Sequence, residues 1–251
     1  MKSFIVTVSM GKRLIAKATA AHFAVKAAQS RGTLVIVAGT TNGYVAEEIL
    51  GAIGQGEGFS RRGFRRGMTL PAKPQPPLAQ VTFPGDVIVV DGVWQKGKTI
   101  FDVADGLKAG DVILKGANAV NLATRQAAVL IGDPQAGTAG AAIRAAAGRR
   151  ARLIVPVGLE KRVTESLGDL AAVANAPESQ GPRLLPLPGA EIITEIEALR
   201  LLTGTTARLL AAGGIHGAEG AVWLAVEGDA ALVKSAETLL QSLADEPPCQ
   251  V

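Results

Sequence analysis

The chain has 251 residues, of which 48% are hydrophobic and 19% charged, an ordinary balance for a globular protein with one large α/β domain or two small ones. Its single cysteine excludes an intrachain disulfide and a cysteine-based metal site, and its two histidines lack the spacing of a zinc motif. The formal net charge of +4 is a modest excess. The N-terminal apolar run is too short for a signal peptide, and no apolar stretch reaches the ~20 residues of a membrane span. We therefore expect a cytoplasmic protein with no membrane partner and no metal.

The first elements in chain order are a helix, a strand and a second helix. Apolar residues recur at helical spacing between Gly11 and Gly32. The apolar run from Thr33 to Ala38 is typical of a strand buried on both faces, and the stretch from Val45 to Ile53 continues as helix. The turn between them is small and hydroxylated, which suits an anion held at a helix N-terminus, although the same residues could only cap the helix. The candidate ligand-binding residues of this turn are Gly39, Thr40, Thr41 and Asn42.

A long irregular segment rich in Gly, Arg and Pro follows, from about residue 54 to residue 80. It contains the block "SRRGFRRG", with its arginines between Arg61 and Arg66. Such a block indicates a solvated loop, a clamp for a phosphate or carboxylate, or, third, a contact with nucleic acid. The proline-rich stretch from Pro71 to Pro77 cannot be regular structure. We expect the whole segment to be a functional flap or a connection, inserted into a single α/β domain that spans residues 1–251.

Further apolar runs alternate with helical patterns along the rest of the chain. This alternation predicts an α/β fold with a mainly parallel sheet and helices on both faces, a Rossmann-like three-layer sandwich. Ligands of such sheets bind at the carboxyl ends of the strands. Four turns would then be neighbours, if their strands lie side by side. They are 39–41, 91–92, 115–118 and 132–134. A GxGxxG fingerprint and a P-loop motif are both absent, which disfavours a conventional nucleotide site.

The strand ends supply the candidate catalytic residues. Asp91 could be a base or a hydroxyl acceptor, or it could only form a turn. Lys115 could hold a ligand oxyanion, or it could face solvent. Asp102 and Asp105 would share a helix face, either as acid/base residues or as part of a solvated charged surface.

Other small or polar turn residues are candidates for ligand binding. His216 stands in a glycine loop, where a histidine can shuttle a proton or can simply be exposed. The segment "GDPQAGTAG" is a second small-residue helix start and could be a second anion loop. The remaining candidates are Gly116, Asn118, Gly132, Asp133, Gly137 and Thr138.

The stretch "LVIVAGTTNGYVAEEIL" resembles the strand–loop–helix segment of ribose-phosphate isomerases and, more widely, of the NagB/RpiA/CoA-transferase-like superfamily. "LKGANAVNLATRQAA" is similar to the lysine-glycine run of those isomerases and the helix that follows it, with Lys115 and Gly116 in matching places. The resemblance implies a substrate phosphate on the Thr40 turn, and a CoA ester as an alternative substrate. The arginine-glutamate pair of the isomerases appears here as Arg125 and Gln126, and glutamine cannot act as a general base.

These observations predict a protein that binds a small anionic metabolite, such as a sugar phosphate or a CoA ester, at the carboxyl ends of parallel strands. Isomerase- or transferase-type acid/base chemistry would follow, but Gln126 leaves open whether the protein is an enzyme. The alternative is a metabolite-sensing or carrier module without turnover. A weaker alternative is nucleic-acid binding through the block from Arg61 to Arg66. No cofactor is predicted, and we expect a homo-oligomer.

Overall fold

The computed structural model describes residues 1–67, 69–70, 72–73 and 81–249. The strands are β1 Lys2–Val6, β2 Thr33–Ile36, β3 Val87–Val90, β4 Val93–Trp94, β5 Val112–Leu114, β6 Ala119–Asn121, β7 Gln126–Ile131, β8 Arg152–Pro156, β9 Arg183–Pro186, β10 Glu191–Ile193, β11 Thr206–Ala212 and β12 Val222–Glu227. The α-helices are α1 Val8–Ala21, α2 Phe23–Ser30, α3 Thr40–Ala52, α4 Ile100–Val103, α5 Gly137–Arg149, α6 Leu167–Ala174, α7 Glu195–Thr203 and α8 Ala230–Gln241. The chain is therefore a mixed α/β protein.

The central sheet has six strands in the order β10-β8-β5-β2-β3-β4. The pairs β10–β8, β8–β5 and β5–β2 are parallel, whereas β3 and β4 are antiparallel to their neighbours. The sheet is thus mixed, and the prediction of a mainly parallel sheet holds for four of its strands. We call the edge at which β2, β5, β8 and β10 end the carboxyl edge.

Side chains of the central sheet alternate between two cores. Leu34 and Ile36 of β2 belong to the core that contains Leu14 of α1 and Ile49 of α3. Their neighbour Val35 belongs to a second core. That second core includes the small residues of α5, Ala139, Ala141, Ala142 and Ala145. Both faces of the strand are buried, which explains why its sequence is a continuous apolar run and does not alternate with polar residues.

Two three-stranded antiparallel sheets flank the central sheet, in the orders β1-β12-β11 and β6-β7-β9. The hairpin of β6 and β7 replaces the helix expected after Lys115, so that prediction was wrong. Asn121 explains the turn, because its Oδ1 accepts hydrogen bonds from the backbone N–H groups of Ala123 and Thr124, each at 3.0 Å. Arg125 then adopts a left-handed conformation with φ of 53° and leads into β7.

The long helix expected between Gly11 and Gly32 is two helices, α1 and α2, which meet at His22. His22 has an extended backbone with ψ of 131°, and this ends α1. Among the described residues, none of the helices combines the length and the apolar character that a membrane crossing requires.

The described part of the irregular segment contains a short 3-10 helix at Arg61–Gly63. The stretch from Pro71 to Pro77 lies outside the described residues, apart from residues 72 and 73. The segment leaves α3 beside the hairpin of β3 and β4, where Gln55 donates to the carbonyl of Gly92 and accepts from the N–H of Trp94. It ends at the carboxyl edge, because Val87 pairs with Ile36 at the end of β2. The segment therefore begins near one edge of the sheet and ends at the other, and β3 runs antiparallel to β2.

Candidate functional site

The starts of three helices meet at the carboxyl edge. Helix α3 begins at Thr40, shortly after β2, and α7 begins at Glu195, shortly after β10. The start of α1 lies beside α7, because Gly11 packs directly against the side chain of Glu195. Since the N-terminus of a helix carries a partial positive charge and free N–H groups, this edge favours negative charge.

The turn between β2 and α3 is held by Asn42. This residue is completely buried, and its Nδ2 donates to the carbonyl oxygens of Val37 at 2.8 Å and of Leu114 at 3.0 Å. Asn42 therefore joins the turn to β5, a structural role. Thr41 is 2% exposed, and its Oγ1 has no hydrogen-bond partner among the described residues. A buried hydroxyl without a partner costs about 1–3 kcal/mol, so a hydrogen-bond partner that reached Thr41 Oγ1 would be stabilised.

Lys115 follows β5 directly and is half-buried. In the part of the chain that the structure describes, its ammonium group forms neither a hydrogen bond nor an ion pair with another residue. Burial lowers the pKa of Lys115 to about 8, the positive charges of Arg66 and Lys161 lower it further, and Asp86 opposes the shift. Lys115 is therefore a cation whose counter-ion is not supplied by a dedicated side chain of the described chain.

Asp86 stands at the start of β3 and fixes the elements around Lys115. It is 1% exposed, and its carboxylate accepts from the N–H of Ala38 at 2.9 Å and of Ile100 at 2.8 Å. Arg66 donates to both of its oxygens, at 3.2 and 3.3 Å. The carboxylate oxygens are thus already engaged, and Asp86 holds both Arg66 and the turn before α3 in place.

The other half of the site comes from α1, α7 and the loop after β8. Lys12 of α1 is 5% exposed and lies 3.0 Å from Glu160 Oε1. Lys161 donates to the carbonyl of Ala117 at 2.8 Å, and burial lowers its pKa. We call the whole set the carboxyl-edge cluster. It consists of Lys12, Arg66, Asp86, Lys115, Glu160, Lys161 and Glu195.

Glu195 is the buried acid of the cluster. It is 2% exposed, and its Oε2 accepts from the N–H of Leu159 at 2.9 Å. Burial, followed by the charge of Glu160, raises the pKa of Glu195 to about 8. A carboxyl with this pKa is mostly protonated at neutral pH.

The charges of the cluster leave a positive excess. Arg66 is paired with Asp86, and Lys12 is paired with Glu160. Glu195 is neutral below its raised pKa, which leaves Lys115 and Lys161 without a carboxylate at hydrogen-bond distance among the described residues. An anion with two negative charges, or one with a second polar group, would complete the set.

Several predicted site residues lie elsewhere. Asp91 is at the opposite edge, because β3 is antiparallel, and its backbone N–H donates to the carbonyl of Gly32 before β2. Asp133 follows β7, which belongs to the β6-β7-β9 sheet and not to the central sheet. Asp133 is therefore not a neighbour of the turns that follow β2 and β5. Its carboxylate accepts from the N–H of Gln135 in an exposed turn. Gly132 precedes this turn, and Gly137 and Thr138 begin α5.

The two candidate aspartates near α4 have local roles. Asp102 is exposed and accepts from the backbone and hydroxyl of Thr99, which lowers its pKa and forms a capping box at the start of α4. Asp105 forms an exposed ion pair of 3.1 Å with Arg144 of α5. Asp102 therefore caps α4, and Asp105 pairs with a residue of α5, so both carboxylates have local structural contacts.

Of the remaining candidates, Gly116 follows Lys115 directly and so lies at the carboxyl edge. Asn118 is exposed, and its Oδ1 accepts from the N–H of Leu130, which ties the start of β6 to β7. His216 is exposed in the loop between β11 and β12, with φ of 57°. The loop itself comes near the cluster, because Gly220 lies against the side chains of Val8 and Glu160.

The residues that resemble the isomerase pair lie on the hairpin of β6 and β7. Arg125 donates to Glu197 of α7 at 2.7 Å, and Gln126 is exposed at the start of β7. The arginine block also makes contacts within the chain, since Arg61 pairs with Glu47 at 2.7 Å and Arg66 pairs with Asp86. These contacts give Arg61 and Arg66 structural roles.

Sequence reasoning missed several members of the cluster. Lys12 and Glu195 belong to helices and not to strand-end turns, so only the packing of α1 against α7 brings them to the carboxyl edge. Asp86 lies at the start of β3, whereas the sequence pattern predicts function only where strands end, as at Asp91. The signal that could have indicated these residues is a charged residue inside an apolar segment. Charged residues are rarely buried unless they have a partner.

A groove of about 640 Å³ lies away from the cluster, where β8 and β10 begin. Two arginines and one glutamate contribute to its lining, and Arg152 pairs with Glu191 at 3.4 Å. The other lining residues are mainly small or apolar. We place the candidate site at the carboxyl-edge cluster, because the cluster contains the buried groups with perturbed pKa values.

Within the described residues, no group of three His, Cys, Asp or Glu side chains is placed to hold a metal ion. Comparison with protein-family models, with curated proteins and with solved structures gave no match to this chain.

Proposed function

We propose that the protein binds a small anionic metabolite, a sugar phosphate or a CoA ester, at the carboxyl-edge cluster and carries out acid/base chemistry on it. The observation that carries the proposal is Lys115, a half-buried ammonium group that forms no ion pair or hydrogen bond among the described residues. A charge in such surroundings is costly unless a ligand supplies its partner.

Two neighbouring features support an anion as that partner. The start of α3 offers N–H groups and the buried hydroxyl of Thr41, which has no partner among the described residues. Lys161 adds a second positive charge from the loop after β8, and its effect on the pKa of Lys115 indicates that the two ammonium groups are near each other. We also infer that the four parallel strands with their helices represent a Rossmann-like three-layer arrangement, in which ligands bind at this edge.

The acid/base part of the proposal rests on Glu195. A buried carboxyl that is protonated at neutral pH can donate a proton to a bound substrate and take it back. Its position at the start of α7, beside Lys12 and Glu160, provides a chain of charged groups at one edge of the sheet. Glu195 would fill the role that Gln126 cannot.

Thermal unfolding in the presence of candidate ligands tests the binding. Inorganic phosphate, ribose 5-phosphate, coenzyme A and acetate are compared on the wild type, on Lys115→Ala and on the control Lys108→Ala, whose lysine is exposed. A ligand at one hundred times its Kd stabilises a protein by about 2.7 kcal/mol. We expect phosphate compounds to stabilise the wild type and the control and to lose this effect on Lys115→Ala. Equal stabilisation of all three proteins would place the anion elsewhere.

A sensor or carrier without turnover is the second candidate, and the exposed Gln126 at the position of the isomerase base is the observation that favours it. Once a ligand is identified, its conversion is measured with the wild type and with Glu195→Gln. Conversion by the wild type and its loss in the variant support an enzyme. Binding without conversion by either protein supports a sensor. Nucleic-acid binding is disfavoured, because Arg61 and Arg66 are already paired with carboxylates of the same chain.

A further inference from the structure

We propose that the anionic ligand of the carboxyl-edge cluster carries an aldehyde or ketone group, and that Lys115 forms an imine with that group. This inference rests on the proposed anion binding, and it goes further by naming the reactive group of the ligand and the nucleophile of the protein.

Lys115 differs from the other two lysines of the cluster in what its amine contacts. Lys12 is engaged by Glu160 at 3.0 Å, and Lys161 donates to the carbonyl of Ala117 at 2.8 Å. The amine of Lys115 has no such acceptor within the described residues. An amine whose lone pair is to attack carbon must not be held as an ammonium ion by a carboxylate, and Lys115 meets this condition.

The surroundings of Lys115 favour its neutral form. Asp86 is the carboxylate that favours the charged form, but its oxygens are already engaged by Arg66 and by the N–H groups of Ala38 and Ile100. Lys161 and Arg66 place positive charge near the amine. Burial and like charges together bring the pKa to about 8, at which on the order of one tenth of the amine is neutral at pH 7.

The same neighbours suit a ligand with a carbonyl group and a negative group. An anionic group at the start of α3 would lie close to Lys115, because Asn42 in the first turn of α3 donates to the carbonyl of Leu114, the residue that precedes the lysine. The buried Thr41 hydroxyl is available at that helix start. The ligand would therefore be fixed by its anionic group while its carbonyl carbon faces the amine.

The step balances without an added oxidant or reductant. The lone pair of the neutral Lys115 amine attacks the carbonyl carbon, and the electron pair of the carbon–oxygen double bond moves to the oxygen. The two amine protons then pass to that oxygen, the carbon–oxygen bond breaks, and water leaves. The product is an imine between Lys115 Nζ and the former carbonyl carbon.

Reductive trapping tests the proposal. The full chain is incubated with glycolaldehyde phosphate and sodium cyanoborohydride, which reduces an imine to a stable secondary amine, and the modified lysine is located by peptide mass mapping. We expect labelling of Lys115 at pH 7 to be at least about tenfold faster than that of the exposed Lys108. We also expect the rate at Lys115 to level off above pH 8, whereas ordinary lysine amines become neutral only near pH 10.4.

Two comparisons complete the test. Neutral glycolaldehyde lacks the anionic group. The ratio of labelling at Lys115 to labelling at Lys108 should therefore be several-fold lower with glycolaldehyde than with glycolaldehyde phosphate. In Lys115→Arg, which keeps a positive charge but cannot form an imine, labelling of the peptide should disappear while phosphate still stabilises the fold. Wild-type labelling spread evenly over exposed lysines would overturn the imine, even if the variant fails to fold. If phosphate then still stabilises the wild type, the anion site stands, and if it does not, both proposals fail.

Discussion

Asn42 Nδ2 donates a 3.0 Å hydrogen bond to the backbone carbonyl of Leu114 and thereby links the first turn of α3 to the strand that precedes Lys115. The same amide group donates to the backbone carbonyl of Val37, the residue that follows β2. One buried side chain thus joins two parallel strands and a helix at the place where all three meet the candidate site. The start of α3 and Lys115 are consequently held in a fixed relation.

Replacement of Asn42 by Ala should lower the free energy of unfolding by about 1–3 kcal/mol, because two buried carbonyl groups lose a donor. Urea unfolding at neutral pH measures the change. Asn118→Ala is the control, since this exposed residue makes one side-chain hydrogen bond, and its cost should be smaller. An Asn42→Ala variant as stable as the control would contradict the linking role of the amide.

Gly11→Ala should destabilise the protein by about 1–3 kcal/mol, although alanine is the better helix former. The added Cβ would overlap Glu195 Oε1 and lie 3.1 Å from its Cδ. Gly51→Ala is the matched control in α3, where a Cβ meets nothing within 4 Å, and it should be neutral or stabilising. Glu195→Ala should relieve the cost in a double variant, and a double variant no better than Gly11→Ala would exclude the contact as its cause.

Lys115→Met should raise the free energy of unfolding at pH 7, by up to about 3 kcal/mol. The pKa of about 8 in the folded protein lies below the ordinary value of 10.5, so the cost of burying the charged amine is fully present below pH 8. This cost is lost as the pH rises from 8 through 10.5, because the amine of the unfolded chain is half neutral at pH 10.5 and that of the folded chain is almost fully neutral. Urea unfolding at pH 7 and pH 10.5 measures it. A gain in stability that persists at pH 10.5 would point to packing instead of charge.

In the wild type, the free energy of unfolding should fall as the pH rises from 4.5 to 8, and Glu195→Gln should make this fall smaller. The folded pKa of about 8 lies above the ordinary value of 4.5, so in this range the folded state binds a proton that the unfolded chain has released. The contribution of Glu195 is fully present below pH 4.5 and is lost as the pH rises to 8. Unfolding at pH 5 and pH 8 is compared with that of Glu178→Gln, an exposed control. Parallel pH dependences for the two variants would mean that Glu195 is not the buried acid.

The sequence predicted best what depends on neighbouring residues. The strand after Gly32 and the helix that follows it are confirmed as β2 and α3. The helix begins at Thr40 and not near Val45, so Thr40, Thr41 and Asn42 form its first turn and are not part of a loop before it. An apolar run, a turn and a helical period are local patterns, and each is visible in the residues that form the element. The position of Lys115 at the end of a parallel strand is confirmed for the same reason.

The direction of the strands and the long-range packing of the helices could not be predicted from local sequence patterns. The apolar run that ends at Asp91 has the same composition in a parallel or an antiparallel strand, so its direction depends on a connection of about thirty residues. Lys12 and Glu195 are separated by most of the chain and meet only when α1 packs against α7. The charges that define the site are therefore determined by tertiary structure, whereas the turn that first indicated it is determined locally.

The reversed direction of β3 has a consequence for how the site could change during evolution. The connection between α3 and β3 delivers Arg66 and Asp86 to the carboxyl edge. A substitution of Arg66 would change the charge at this edge and leave the sequences of β5, which precedes Lys115, and of α7, which begins at Glu195, unchanged. The charged groups at this edge thus come from separate parts of the chain, and one part could diversify while the others are retained.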